Sequence, residues 1–353
     1  MLSFTKFLNY LNDNPNYLKD EQKDSLHRIL FCNPDNIFID SRKLAKELSS
    51  GKSYAKDILI SLAEYTGCEL KVNCSCCGYD NGYKLDFCSK CGEQLEVSDD
   101  NLSLKVDGML DDDSKIENAE ETVREEQLRQ MITVWEQQRY IVYLLIDISN
   151  SEAIQYKNND NYKKYLEILR SIIQYTLYSI NGSYLCFGEI GDCFKLGLSD
   201  TNDLIPFISK LAETHWKNYK QNIYPPVVQG LEPYPCLKIS AQLVELDIYD
   251  NPKDLLFKTL NGALDFNSDL LTKLFRLDGE IKLDYAKAFK NDNKISVWIF
   301  DKLIKKLNIE ANSTTIKAGK HENLISVADV IALSFPDGKM KIEDKPENLF
   351  CEK

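Results

Sequence analysis

Five of the eleven cysteines in this 353-residue chain fall between Cys74 and Cys91, and four of those five make two Cys-x2-Cys-Gly units. The pattern Cys74-Ser-Cys-Cys77-Gly78 followed by Cys88-Ser-Lys-Cys91-Gly92 leaves ten residues between the pairs. Each pair turns two thiolates toward one point, and the glycine behind it permits the tight backbone turn. Two such units close a tetrahedron, so Cys74, Cys77, Cys88 and Cys91 must come together around one ion. Zn²⁺ suits four sulfur ligands, and with every position filled it would be structural rather than catalytic. Cys76 could stand in for Cys74, although its spacing to Cys77 is poor. Many cysteines in a small secreted chain would suggest disulfides, whereas crowding of this kind in a longer chain points to metal. The three histidines, His27, His215 and His321, lie far from the cluster in sequence and read as ordinary surface or semi-buried residues.

A second pattern combines strands with acids. Tyr140-Ile-Val-Tyr-Leu-Leu-Ile-Asp147-Ile148 is an apolar run ending in a carboxylate, which predicts a buried strand with Asp147 at the rim of its sheet. Tyr162, Tyr165, Leu166, Leu169, Ile172, Ile173, Leu177 and Ile180 then recur at helical spacing. An Asn181-Gly182 turn, a strand from Ser183 to Phe187 and the hairpin Gly188-Glu-Ile190-Gly191-Asp192 follow. Strand, helix, strand, turn and strand carry Asp147 and Asp192 to one edge. Mg²⁺ and Mn²⁺ take oxygen ligands and need only one or two protein carboxylates when substrate phosphates complete the shell.

A formal charge of -12 and a pI near 5.0 argue against nucleic-acid binding by the whole molecule, because that affinity depends on Lys and Arg displacing counterions. No run approaches the length of a membrane span, and the first residues lack the pattern of a signal peptide. The expectation is a soluble, cytoplasmic protein with no membrane contact. Asp40 to Leu48 reads as a capped helix, Tyr54 to Tyr65 as a second helix stopping at Gly67, and Cys68 to Val72 as a strand. That order resembles a winged helix, and the cysteine segment resembles a zinc ribbon. The second helix carries only Lys56 beside Asp57 and Glu64, which favours a protein contact over DNA.

Asp147-Ile148 and Ile190-Gly191-Asp192, about 45 residues apart around one helix, resemble the metal-binding motifs of the class III nucleotidyl cyclases. The likeness covers Tyr140 to about Val244 well and continues more weakly to about Phe335. It implies an α+β protein whose catalytic domain has a ferredoxin-like βαββαβ core, preceded here by the winged-helix-like unit and the zinc ribbon. It also implies two Mg²⁺ or Mn²⁺ ions per active site, held by Asp147 and Asp192 with the backbone carbonyl of Ile148. The family places an Asn, and four residues later an Arg that steadies the transition-state phosphate, on a helix facing a second subunit. Leu271-Thr272-Lys-Leu-Phe-Arg276 fits that frame, with Thr272 at the Asn position. A homodimer is therefore implied, and Lys317 or Lys320 is the late phosphate-contacting lysine.

Asp265 occupies the position of a base-reading Asp, but Gly188 stands where purine cyclases place a Lys or Glu. Glycine offers a base edge no side-chain hydrogen bond. The chain is thus similar to the uridylate and cytidylate cyclases of bacterial Pycsar antiphage systems. The implied reaction converts a nucleoside triphosphate, UTP foremost, to its 3′,5′-cyclic monophosphate and pyrophosphate, with a separate effector protein reading the product. An adenylate or guanylate cyclase, or a non-catalytic cyclase-like signalling module, is the alternative.

The expected organisation is a winged-helix-like domain over 1–70, a zinc ribbon over 71–97 and an acidic linker over 98–114. A connecting helix over 115–138, a catalytic domain over 139–336 and a tail over 337–353 complete it. The connecting helix could pair with its copy in a dimer or pack on its own domain.

Overall fold

The computed structural model describes residues 4–32, 38–48, 50–98, 101–105, 129–130, 132–148, 151–180, 184–186, 189, 191–220, 237–247, 251, 256–258, 264–266, 269–278, 295–311, 313–318, 326–335 and 338–342. Two compact units emerge: Met1–Ile116 with Glu167–Tyr175, and Glu117–Leu166 with Thr176–Lys353.

The first unit runs α1 (Phe4–Asp13), α2 (Asp20–Phe31), β1 (Phe38–Asp40), α3 (Ser41–Glu47), α4 (Lys52–Thr66), β2 (Leu70–Asn73), β3 (Asp80–Gly82) and β4 (Leu102–Lys105). Helix α3 begins where the Asp40 carboxylate accepts the Lys43 N–H at 2.8 Å, the cap expected from sequence. Helix α4 buries Ala55, Ile58, Leu59 and Leu62 along one face and stops at Gly67, whose φ of 67° glycine adopts without a Cβ penalty. The four strands pair antiparallel in the order β1-β4-β2-β3.

This sheet corrects one expectation. Residues 98–114 read as a linker, yet Leu102–Lys105 is the strand between β1 and β2, with Leu102 and Leu104 fully buried. Two apolar positions in a four-residue strand were too few to stand out against the acidic residues around them. His27 is a core side chain of this unit: it stacks on Tyr175 at 4.2 Å between ring centroids, and the Tyr175 hydroxyl donates to Asp24 at 2.8 Å.

The second unit opens with α5 (132–138), which leads through Arg139, at φ 63°, into β5 (Tyr140–Ile148). Trp135 on α5 is fully buried, so this end of the connecting helix packs one face against its own unit. There follow α6 (Ser151–Lys157), α7 (Asn159–Tyr178), β6 (Tyr184–Cys186), β7 (Phe194–Leu198), α8 (Leu204–Lys220) and β8 (Leu237–Glu245). Next come β9 (Leu256–Lys258), β10 (Leu264–Phe266), α9 (Asp269–Asp278), β11 (Ile295–Phe300) and α10 (Asp301–Lys306). The last elements are β12 (Thr314–Ala318), β13 (Ser326–Ser334) and β14 (Lys341–Ile342).

The main sheet orders these strands β12-β13-β11-β8-β5-β7-β6, with β14 on β13. Strand β5 sits between β7 and β8, antiparallel to both, and Ile141 through Ile146 are buried on both faces, which is why the run is apolar without alternation. The sequence β5-α7-β6-β7-α8-β8 laid out as β8-β5-β7-β6 is the βαββαβ arrangement expected, and β11 extends it by pairing parallel to β8. Residues 337–353 are not wholly a tail, because Ile342 pairs with Leu333 and lengthens this sheet. His215 belongs to the core and shares a hydrogen bond with the Tyr165 hydroxyl at 3.2 Å, while His321 lies outside the described residues. No helix among the described residues is long and apolar enough to cross a membrane.

Candidate metal centres

The two cysteine pairs close on each other as their spacing demands. The sulfurs of Cys74, Cys77, Cys88 and Cys91 all lie within 4.8 Å of one another, with 3.7 Å between Cys74 and Cys91 and 3.6 Å between Cys77 and Cys88. Gly78 and Gly92 take φ of 68° and 75°, the left-handed turn each pair needs. Cys76 is exposed and outside the cluster, so Cys74 is the one of the two that joins the other three sulfurs. Burial alone would raise the Cys88 thiol, but the N–H groups of Cys91 and Lys90 and the Asn81 amide donate to its sulfur and bring it down to about 6. Cys91 receives the Glu93 N–H, yet the neighbouring Cys77, Cys88 and Cys74 thiols push it to about 12. Four sulfurs in this space cannot all carry charge by themselves, and a divalent cation at their centre removes the conflict.

In the second unit, Asp147 ends the central strand, and the register sets Lys238 of β8 directly across from it. On the other side Ile146 pairs with Phe194, which brings the turn bearing Asp192 and Cys193 to the same rim; Gly191 makes that turn at φ 62°. The Lys238 ammonium lies 3.4 Å from an Asp147 oxygen and 2.6 Å from an Asp278 oxygen, and it also donates to the Asp278 backbone carbonyl at 3.2 Å. Ser240 donates to the other Asp278 oxygen. Lys238 is 3% exposed, whereas Asp147 keeps 21% of its surface.

Charge is out of balance here. Burial raises the Asp147 carboxyl above its ordinary value; Lys238 opposes that, and Asp192 and Asp278 reinforce it. Cys193 is pushed up to about 12 by burial and then by Asp147 and Asp278, so it stays a neutral thiol. Asp192 Oδ2 is buried and has no hydrogen-bond partner among the described residues. A buried carboxylate oxygen without a donor, close enough to Asp147 for the two charges to repel, is a place that a cation would complete, although the three carboxylates do not themselves close into a cluster of three ligand atoms among the described residues. Asp147 and Asp192 therefore fit a hard divalent ion.

The sequence-predicted residues divide accordingly. Asp147 and Asp192 come together, and Ile148 is the buried last residue of β5, opposite Leu237. Arg276 is exposed on the last turn of α9, a helix that ends at Asp278 in the cluster. Thr272 lies one turn earlier on α9, and Asp265 lies on β10, a strand paired only with β9 among the described residues. Lys317 lies on β12; Gly188 and Lys320 lie outside the described residues.

Lys238, Ser240, Asp278 and Cys193 were not found from sequence. A signal existed in β8, where Lys238, Ser240 and Gln242 alternate with apolar residues as if facing water. All three are buried, because α9 packs against β8.

No family model matches the chain. No curated protein matches it either. Among solved structures it resembles an adenylate cyclase of Trypanosoma brucei studied in its monomeric state, at 10% identity and a TM-score of 0.37, over 59% of this chain and 95% of that one. It also resembles an adenylate/guanylate cyclase/hydrolase of Silicibacter pomeroyi, at 11% identity and TM-score 0.34, over 56% and 98%. An adenylyl cyclase of P. aeruginosa matches at 12% identity and TM-score 0.35, over 54% and 93%. Likeness this loose transfers no chemistry, and any function has to account for the charges and distances of the two clusters themselves.

Proposed function

We propose that this chain is a class III nucleotidyl cyclase that closes a nucleoside triphosphate, UTP foremost, to its 3′,5′-cyclic monophosphate with loss of pyrophosphate. One observation carries the reading: Asp147 and Asp192 meet at the rim of a βαββαβ sheet with an unpartnered, buried carboxylate oxygen and more negative than positive charge. Bound there, two Mg²⁺ or Mn²⁺ ions would lower the pKa of the ribose 3′-hydroxyl and offset charge on the phosphates. Asp147 and Asp192 hold and orient those ions. Arg276, exposed on α9, presents positive charge to the phosphates bound by a second copy of the chain, so the working unit is a homodimer. Gly188 leaves a purine edge without its usual partner, which favours a pyrimidine and a role in antiphage signalling through a separate effector.

The first unit serves regulation in this reading. In it α2, α3 and α4 with strands β1, β4 and β2 would act as a winged helix, and the four-cysteine segment between β2 and β4 would be its zinc ribbon; the element order and the cysteine cluster support this. The net charge of -12 favours a protein partner over nucleic acid.

Incubation of the purified protein with each of the four ribonucleoside triphosphates and Mn²⁺, with products resolved by mass, tests this. Cyclic UMP is expected. Cyclic AMP or GMP instead would overturn the pyrimidine assignment, and no cyclic product across a range of protein concentrations would overturn the enzyme. The latter result would favour a non-catalytic signalling module, for which the ion pair already present between Lys238 and Asp147 speaks.

A further inference from the structure

Lys238 is a lysine in an unusual place. Its side chain is only 3% exposed, and its ammonium touches carboxylates from two different elements: Asp147 at 3.4 Å on β5 and Asp278 at 2.6 Å on α9. Burying an ammonium is costly unless it is paired and hydrogen-bonded, and here two carboxylates and a backbone carbonyl satisfy it. Asp278 is fixed in turn by Ser240, two residues along β8 on the same face. The lysine thus stands between the strand that ends in the proposed metal ligand and the last turn of the helix carrying Arg276.

Resting on the cyclase reading, we propose that Lys238 is a positioning residue: a resident cation shared by Asp147 and Asp278 that lowers the metal affinity of Asp147 and couples metal loading to the end of α9. An ion on Asp147 and the ammonium beside it would carry like charge, so loading would weaken the longer Lys238–Asp147 pair and leave Asp278, already at 2.6 Å, to hold the ammonium at the end of the helix that bears Arg276. A site tuned in this way binds its ion loosely until substrate phosphates add their own negative charge.

The test measures Mn²⁺ binding to the full chain by calorimetry, melting with and without Mn²⁺, and kcat at saturating Mn²⁺. Lys238→Met leaves three carboxylates without their cation, so Mn²⁺ should bind about tenfold tighter while kcat falls about tenfold or more as α9 loses its anchor. Asp278→Asn removes a carboxylate and leaves the ammonium to Asp147 alone, so Mn²⁺ should bind about tenfold more weakly. Lys238→Arg keeps the charge and should keep the wild-type affinity within about threefold. Opposite shifts from the two halves of one ion pair are not what loss of packing produces. Affinities that move in the same direction, or that stay within about twofold in both Lys238→Met and Asp278→Asn, overturn the proposal.

Should Lys238→Met unfold in chelator, Mn²⁺ is expected to refold it, and a chain unfolded with and without Mn²⁺ counts against the proposal. The two readings fail separately. A wild-type chain that binds Mn²⁺ with these shifts but forms no cyclic nucleotide sinks the cyclase and leaves the resident cation. A wild-type chain that cyclises while its variants show no shift does the reverse.

Discussion

The cysteine cluster and the carboxylate cluster solve the same physical problem, holding like charges close, in opposite ways. The cysteine site draws all four ligands from residues 74–91, a segment short enough that local turns alone converge them. Lys84 and Lys90 belong to the same segment, but the Lys90 ammonium lies over the Tyr79 ring, 5.9 Å from its centroid, and the four sulfurs would be left to a metal. The carboxylate site draws Asp147 from β5, Asp192 from the turn before β7 and Asp278 from the end of α9, and it already holds Lys238. A set of ligands that is complete without a protein cation is built for a permanent ion. A set that keeps an ammonium among its carboxylates is partly neutralised before any ion arrives, which suits the exchangeable ions of the proposed reaction.

The largest effect that would break this contrast lies in activity. Asp147→Ala and Asp192→Ala should each lower cyclase turnover more than about a hundredfold, since even outer partners of a metal site are typically worth ten- to a hundredfold. Their melting temperature in chelator should hold or rise. Asp147→Ala leaves Lys238 its closer partner Asp278, and Asp192→Ala removes a buried oxygen that has no donor among the described residues. A variant that keeps most activity, or melts well below wild type in chelator, would remove that residue from the metal site.

The cysteine cluster should respond the other way. Cys77→Ser or Cys88→Ser should abolish bound zinc, measured as a single equivalent per wild-type chain by elemental analysis, and should lower the thermal stability of the first unit. Protein purified without chelator and free of zinc would show that four converging thiols here do not hold a permanent ion.

A third effect is of intermediate size. Mixing an Asp147→Ala chain with an Arg276→Ala chain should restore one of the two sites in each mixed dimer, recovering on the order of a quarter of wild-type activity from a random mixture. No recovery, with mixed dimers confirmed, would place Arg276 and the carboxylates in one chain.

The same contrast explains what was legible in the sequence. Spacing pointed to the cysteine cluster because its geometry is local, while Cys76 is set apart from Cys74 only by the fold. Asp147 and Asp192 were legible because each ends or turns a strand whose apolar pattern is strong. Lys238 and Asp278 were not, because their meeting depends on α9 covering one face of β8, a contact between residues 40 apart. Strand β4 escaped notice for a related reason: two leucines in an acidic stretch become a strand only when β1 and β2 are there to receive them.

The smallest predicted effect concerns protons. Burial, with Asp192 and Asp278 nearby, raises the folded Asp147 carboxyl above 3.8, in spite of Lys238. In that case the native state holds a proton that the unfolded chain has released, over a window opening at about 3.8 and closing at the raised value. Stability contributed by this group is present below the window and lost as pH rises through it. Melting curves in chelator should therefore show wild type losing ground to Asp147→Asn as pH increases from about 4 toward neutrality, because the amide carries no charge at any pH. Mn²⁺ favours the ionised carboxylate and should reverse the trend in wild type only. If wild type instead gains on Asp147→Asn as pH rises in chelator, the Lys238 ion pair outweighs burial and the carboxylate neighbours. The site would then be a settled structural ion pair, and the difference drawn between the two clusters would narrow.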